Sequence, residues 1–481
     1  MSYFESPLFK ISPPLVQETM FCARNLLRRG IYFAGGTPRI RRELLHMENW
    51  SADRLAAYQA ERLANLVRFV AQNVPHYRDL FREIELDAES VKGPGDLRRI
   101  PRLNRSAVRA NPDRFMALRV RRALLSKGLT TGTTGGTPLA AYRDLSSICW
   151  EEARLGRWRL RAGVGPGVRR AIFRGDHFAP TSRPNRPWLH DRLNNLLFVS
   201  IYHLSDELMP ALLAKLQDFA PVAVEGYPSA ILTLARFLLR TDQHLAVRAV
   251  LTSSEHLYDH QRQAMRTAFT ADVFDQYGNA ERVALASECT AHRLHLDMEG
   301  AITEILRPDG TVCGPGEAGE VVGTCLTNFA MPFIRYRTGD VAVLGDDPCP
   351  CSLKSPVLGQ LHGRDIDFVL GPTGRRFSPT VLTFPFDYTP CIAESQLVQD
   401  RPGHLLVRLV PEVGAHLTDL EQARRFVEKG LQELMGGGMN IDFEIVTGIQ
   451  KGPTGKYRWV LSGITERDPL LNSPRQRPVQ G

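Results

Sequence analysis

Between residues 170 and 280 a short β-rich run ends on a small-residue turn four times over. Residues 171–174 lead to a glycine. Residues 222–225 pass through Gly226-Tyr227-Pro228 into a helical stretch, 229–240. Residues 247–252 run into Ser253-Ser254-Glu255, and residues 273–276 into Tyr277-Gly278. Strand, turn, helix, repeated, predicts an α/β sheet with parallel strands. In such sheets ligands bind where the strands end, so the turns just named are where chemistry is expected.

Two further regions frame this core. Residues 51–73 read as a helix capped by Ser51, with Leu55, Tyr58, Leu63, Leu66, Val67 and Val70 on one face and Pro75 beyond its end. Residues 404–446 change style. A strand over 404–410 precedes Thr418-x-x-Glu421, a capping box opening a helix with Leu420, Val427, Leu431 and Leu434 on one face. Gly436-Gly437-Gly438 stops it, and 441–446 reads as a second strand. The expected fold is therefore α/β: a large N-terminal domain of sheets sandwiched by helices (1–363), then a small mobile C-terminal α+β domain (364–481). The hinge is expected between Gly363-Arg364 and Gly374.

Composition removes several classes. With 43% apolar and 23% charged residues in 481, the chain is an ordinary globular protein rather than a disordered or fibrous one. The net charge of +8 is spread along the chain rather than clustered among aromatics, which argues against nucleic acid as partner. No apolar run is long enough to cross a membrane, and the opening MSYFESPLFK has no apolar signal core. Residues 15–34 are apolar and then basic; they read as a helix docked on the body, with a membrane surface as the other option. Eight cysteines in such a chain point to a reducing cytoplasm and to metal rather than disulfides.

Four stretches carry chemistry. In Thr130-Thr131-Gly132-Thr133-Thr134-Gly135, glycines let backbone amides converge on an anion and threonine hydroxyls add donors. A Gly/Thr run also reads as a flexible linker. Tyr277-Gly278-Asn279-Ala280-Glu281 offers a ring to stack on a base and a carboxylate for Mg²⁺, or simply a turn with a surface glutamate. Arg335-Tyr336-Arg337-Thr338-Gly339-Asp340 places an aspartate where it can accept two ribose hydroxyls, or close an Asx-turn. Pro453-Thr454-Gly455-Lys456 sets a lysine on a glycine turn, and lysine is scarce here: eight in the whole chain.

In this order the four stretches resemble the adenylate-forming superfamily of acyl-CoA synthetases. Within it the chain looks most similar to the phenylacetate–CoA ligase family and its capsule-biosynthesis branch, over roughly residues 50–465. The resemblance implies that Thr130 to Gly135 embrace the ATP phosphates. It puts Tyr277 and Gly278 near the adenine, Glu281 on Mg²⁺ and Asp340 on the ribose. Gly363-Arg364 would open the mobile domain, with Asp365 or Asp367 as the hinge carboxylate. Lys456 would be the catalytic lysine, and Ser254 and Glu255 would line the nucleotide and acyl sites. Where many relatives carry a lysine after the phosphate loop, this chain has Gly136 and Thr137.

A second constellation is Cys289, His295, Cys349 and Cys351, three thiolates and an imidazole suited to a tetrahedral structural zinc, with His292 as a competing ligand. Close relatives also look able to bind metal at these positions.

The reading is an ATP-dependent ligase that adenylates a carboxylic acid and passes the acyl group to CoA or another thiol. The rival enzyme would deliver it to an amine, a sugar or a carrier as an amide or ester. A third option is a non-catalytic nucleotide-binding scaffold, which has no reason to keep Glu281, Asp340, Arg364 and Lys456 together.

Overall fold

The computed structural model describes residues 9, 12–130, 139–174, 186–205, 207–255, 257, 259–345, 347–362, 369–377, 382, 384–389, 391–412, 415–449 and 459–464. Two compact units emerge. One spans Met1–Thr130 and Leu139–Arg364; the other contains Asp365–Gly481.

The first unit holds strands β1 (Ser126–Thr130), β2 (Leu139–Arg143), β3 (Arg170–Arg174), β4 (Trp188–Asp191), β5 (Leu196–Ser200), β6 (Ala223–Gly226) and β7 (Ala249–Ser253). It continues with β8 (Asp272–Gly278), β9 (Leu285–Glu288), β10 (Leu294–Leu296), β11 (Ala301–Leu306), β12 (Ala318–Cys325), β13 (Tyr336–Leu344) and β14 (Val357–His362). Among the described residues, twelve strands form one sheet in the order β11-β12-β13-β14-β10-β9-β8-β7-β6-β3-β5-β4. From β8 to β5 every pair is parallel, as the strand–turn–helix pattern predicts. β9 runs antiparallel to β8, and the sheet stays antiparallel from there to β11.

The parallel strands β6 and β7 are buried at every position, because the helix Pro228–Thr241 crosses from β6 to β7 and Asp259–Phe269 from β7 to β8. Gly226 ends β6 against the neighbouring backbone: a Cβ there would meet the Phe173 carbonyl oxygen at 2.1 Å, so no other residue fits. Beneath this turn Glu225 is buried and held by Arg159 and Arg170.

The helix Ala52–Asn73 has the expected cap, with Ser51 Oγ accepting from the Arg54 amide. It buries Leu63, Leu66, Val67 and Val70 against Ile302, Leu326 and Ile334. Gln59 takes part in the buried face as well, donating to the Met298 and Ala301 carbonyls. The helix Pro14–Ala34 docks on the edge strand β4, with Phe21 against Phe198 at 4.9 Å.

Asp275, inside β8, is a buried carboxyl whose burial, reinforced by the nearby Glu288 charge, pushes its pKa up to about 7. The unfolded chain ionises it near pH 4, so folding pays for this group increasingly from about pH 4 to pH 7, and fully above. Thr252 Oγ1 donates to Asp275 Oδ1 at 2.7 Å, a bond that an amide oxygen accepts equally well. Asp275→Asn is expected to be more stable than wild type by about 2 kcal/mol at pH 8, with the margin shrinking toward pH 5. Urea denaturation at the two pH values measures this.

The second unit has β15 (Val369–Leu370) paired with β16 (Arg376–Phe377). A separate sheet contains β17 (Ile392–Gln399), β18 (His404–Pro411), β19 (Asn440–Ile445) and β20 (Val460–Ser462), in the order β19-β18-β17-β20. The expected β-α-β unit is β18, the helix Leu417–Met435 and the parallel β19. Its helix buries Leu420, Val427, Leu431 and Leu434 and stops at Gly436, whose φ is +84°. The expected capping box does not form. His416 is the N-cap residue and no side chain caps the helix; Thr418 already lies inside the first turn.

Candidate active site and metal centre

The strand-end turns come to one edge of the sheet because β6, β7 and β8 are parallel and in step, with Gly226 opposite Thr252 and Thr252 opposite Asp275. Ser254, just past β7, is exposed and left-handed at φ +74°, a conformation unfavourable for a serine. Glu255 follows, half-buried. Tyr277 and Gly278 close β8, and the chain turns through Asn279, whose Oδ1 accepts from the Val283 amide at 3.0 Å.

This turn meets β13 in a reciprocal arrangement. The Tyr277 hydroxyl donates to Asp340 Oδ2 at 2.8 Å, and the Tyr336 hydroxyl donates to Glu281 Oε1 at 2.8 Å. Each segment supplies one tyrosine and one carboxylate, and each tyrosine holds the other segment's carboxylate. Tyr336 is almost wholly buried and stacks on Phe333 at 5.3 Å, so it is a rigid support for Glu281. Asp340 is fixed from its own side as well: its amide donates to Thr338 Oγ1 at 3.0 Å, after Gly339 takes a φ of +84°.

The hairpin β1–β2 is tied to the same place. Thr130 pairs with Leu139 at its open end, and Arg143 on β2 donates to the Ala280 carbonyl, one residue before Glu281. Burial lowers the Arg143 pKa to about 10, with the nearby Arg282 cation adding to the effect.

The structure thus brings Tyr277, Gly278, Glu281 and Asp340 together and ties the strand that follows the Thr/Gly run to them. Thr131, Gly132, Thr133, Thr134, Gly135, Arg364 and Lys456 lie outside the described residues, as do the alternatives Asp365 and Asp367. Sequence reasoning did not single out Tyr336 or Arg143. A tyrosine flanked by two arginines gives no sign that it supports a carboxylate on another strand. The arginines themselves are structural: Arg335 pairs with Glu304 and donates to the Ile100 carbonyl, and Arg337 pairs with Glu320.

The second cluster lies where β9, β10 and the loop before β14 meet. Cys289 follows β9, His295 sits on β10, and Cys349 and Cys351 come from the loop between β13 and β14. One ligand atom from each of the four residues lies within 4.8 Å of the other three. Cys289 Sγ is 3.6 Å from Cys349 Sγ, and Cys351 Sγ is 3.3 Å from His295 Nε2. These separations suit the edges of a tetrahedron around one small cation. His295 Nδ1 is 2.9 Å from the Ser355 carbonyl oxygen, which can only accept. Nδ1 therefore carries the proton and Nε2 presents its lone pair to the sulfurs. His292 is a different case. It turns at φ +54° toward Glu288 and Asp272, at 3.6 Å from each, and is no member of the cluster. Burial and the neighbouring Cys349 and Cys289 sulfurs push the Cys351 thiol up to about 12.

Residues 369–463 match the CapK C-terminal domain family. The chain is 23% identical to protein CapK of Staphylococcus aureus over 415 residues, 84% of this chain and 89% of that one. It is 25% identical to a phenylacetate-coenzyme A ligase of Aromatoleum evansii over 442 residues, 87% of this chain and 97% of that one. Among solved structures, 2-hydroxyisobutyryl-CoA ligase in complex with 2-HIB-AMP and CoA is similar in fold, with a TM-score of 0.58 at 19% identity, covering 86% of this chain and 91% of that one. Sequence order, fold and relatives agree: the homologues of this chain include CapK and phenylacetate-coenzyme A ligases, and its fold is that of the solved CoA ligase.

Proposed function

We propose that the chain activates a carboxylic acid with ATP and transfers the acyl group to CoA or another thiol. The observation that carries this reading is the reciprocal Tyr277–Asp340 and Tyr336–Glu281 pairing, which fixes one carboxylate on the turn after β8 and one on β13. A nucleoside triphosphate needs such a pair: one carboxylate for ribose hydroxyls and one for the metal that accompanies the phosphates. The relatives named phenylacetate-coenzyme A ligase, and the acyl-adenylate and CoA bound in the solved ligase, support the same chemistry.

In the first half-reaction an oxygen of the substrate carboxylate attacks the α-phosphorus. The bond to the bridging oxygen breaks and pyrophosphate leaves. Both reactants are anions, so the site must supply positive charge. Mg²⁺ at Glu281 would supply part of it. Thr130, Thr131, Gly132, Thr133, Thr134 and Gly135 would donate hydrogen bonds to the phosphates, and Lys456 would bridge substrate and phosphate oxygens, with Arg364 beside the domain boundary. Tyr277 and Gly278 would flank the adenine; Ser254 and Glu255 would line the adjoining acyl site. In the second half-reaction a thiolate attacks the acyl carbon, the acyl–phosphate bond breaks and AMP leaves.

Asp340→Ala is expected to raise the KM for ATP at least tenfold, since it removes a bidentate acceptor. Glu281→Ala is expected chiefly to shift the Mg²⁺ titration to higher concentration. A Glu281 variant with an unchanged Mg²⁺ titration would contradict the assignment. The reading as a whole is tested by pyrophosphate release from ATP over a panel of carboxylic acids. Release that needs a carboxylate supports it, and absence of release with every acid tells against it. The product mass with CoA, and with amines in its place, identifies the acceptor.

The cysteine–histidine cluster is proposed as a structural zinc site. Its four protein donors leave no position for a reacting water, so zinc there would tie the β13–β14 loop to β9 and β10 rather than take part in the reaction.

A further inference from the structure

The helix Pro14–Ala34 is unusual for a helix on a protein surface in leaving Leu15, Leu26, Leu27 and Phe33 all exposed. Surface helices turn their apolar stripe to the core and their polar face to water. Here the inward face is mixed: Phe21 and Cys22 are buried, and so are the polar Gln17 and Glu18. Glu18, the one acidic residue of the helix, is buried and bonded to Arg186 and the His190 amide. Gln17 donates to the Phe9 carbonyl and Asn25 to Asp191. Outward stand Leu15, Leu26, Leu27 and Phe33, exposed by 68%, 51%, 66% and 70%. At about 100° per residue, Leu15, Leu26 and Phe33 fall nearly on one line, with Val16, Leu27 and Ile31 beside them. The arc between Leu15 and Ile31 contains no charged residue, and arginines border it: Arg24 and Arg28 on one side, Arg29 on the other. The following helix, Thr37–Met47, adds the exposed Arg42, while its Arg39 is paired with Glu43.

An apolar stripe edged with arginine and free of acidic groups complements one kind of surface, an apolar interior behind a layer of negative charge. A protein partner would more often bring a mixture of charges and be met by one. The helix is too charged to cross a bilayer, and no helix among the described residues is long and apolar enough to do so. We propose that the helix Pro14–Ala34 lies in the interface of an anionic lipid membrane, inserting Leu15, Leu26, Leu27 and Phe33 between acyl chains while the arginines meet the headgroup phosphates. The full-length protein is thereby held at a membrane surface.

Flotation with vesicles tests this, using phosphatidylcholine with 30% phosphatidylglycerol and, in parallel, phosphatidylcholine alone. The full chain is expected to float with the anionic vesicles and at least tenfold less with the neutral ones, and to lose most of its binding at high salt. Leu26→Glu with Leu27→Glu should lower flotation at least tenfold without changing thermal unfolding, because both side chains face solvent. Arg28→Glu with Arg29→Glu should lower it too, and abolish the preference for anionic lipid. Leu417→Glu, at a still more exposed leucine in the second unit, should have no effect. Absence of flotation by the wild-type protein overturns the proposal, as does flotation that the Leu26 and Leu27 changes leave intact. A wild-type dimer that those changes turn into monomer, with no vesicle binding, also overturns it and makes the stripe a self-association face.

Discussion

Lys456→Ala is expected to slow acyl-adenylate formation by about 10²–10³-fold, the usual cost of removing one positive group from a site of developing negative charge. The lysine follows Pro453-Thr454-Gly455 in the second unit, in a chain with eight lysines against far more arginines. A flexible ammonium can follow an oxygen as it changes partners from carboxylate to phosphate, which a rigid guanidinium does less well. That demand exists in the first half-reaction alone. Once the acyl-adenylate exists, the thiol attacks an uncharged carbonyl carbon. Thioester formation from supplied acyl-adenylate should therefore proceed at close to the wild-type rate. Rapid quench of each half-reaction separately gives the answer. Equal loss in both halves would mean that Lys456 supports the structure of the site rather than one step.

The second large effect is expected at the cysteines. Purified protein should contain about one zinc per chain, and Cys349→Ser with Cys351→Ser should release it. The melting temperature should then fall by about 5–10 °C, because metal-binding energy at a structural site is folding energy. The sulfur separations and the His295 contacts would suit a metal, so removing two of the four donors would leave Cys289 and His295 facing a gap that neither fills. Adenylation at low temperature should survive in part, since the cluster contains neither Glu281 nor Asp340. Wild-type protein without zinc, or a double variant as stable as wild type, would refute the site.

Much of the first unit was legible because parallel strands in a covered sheet must be continuously apolar and must end in turns that small residues can make. The run before Ser253 shows both properties, and those before Gly226 and Tyr277 are apolar up to the buried Glu225 and Asp275. The antiparallel half was not legible. β9 to β14 range from three to nine residues, are mixed in polarity and are joined by irregular loops, so their pattern does not reveal which strands are neighbours. The site follows the same division. Tyr277, Glu281 and Asp340 could be named from their motifs, but the crossing of Tyr336 to Glu281 depends on how β13 sits relative to the β8 turn. Likewise Cys-x2-His and Cys-x5-His are both workable spacings, and the turn at His292 decides between them. The false capping box has a simpler cause. Thr418 and Glu421 have the right spacing, but the helix already begins at Leu417, so the threonine arrives too late to cap it.

The sheet changes sense at β8, which has a parallel neighbour on one side and an antiparallel one on the other. This splits the site into parts with different freedom to vary over generations. The turns after β6 and β7 each belong to a separate strand–helix unit, and one can be lengthened or rebuilt without altering the other's register. Glu281 and Asp340 have no such independence, because each is bonded to a tyrosine of the opposite segment, and a change in either segment disturbs both. Descendants of such a chain are therefore expected to diversify in the acids they accept while their handling of the nucleotide stays nearly fixed.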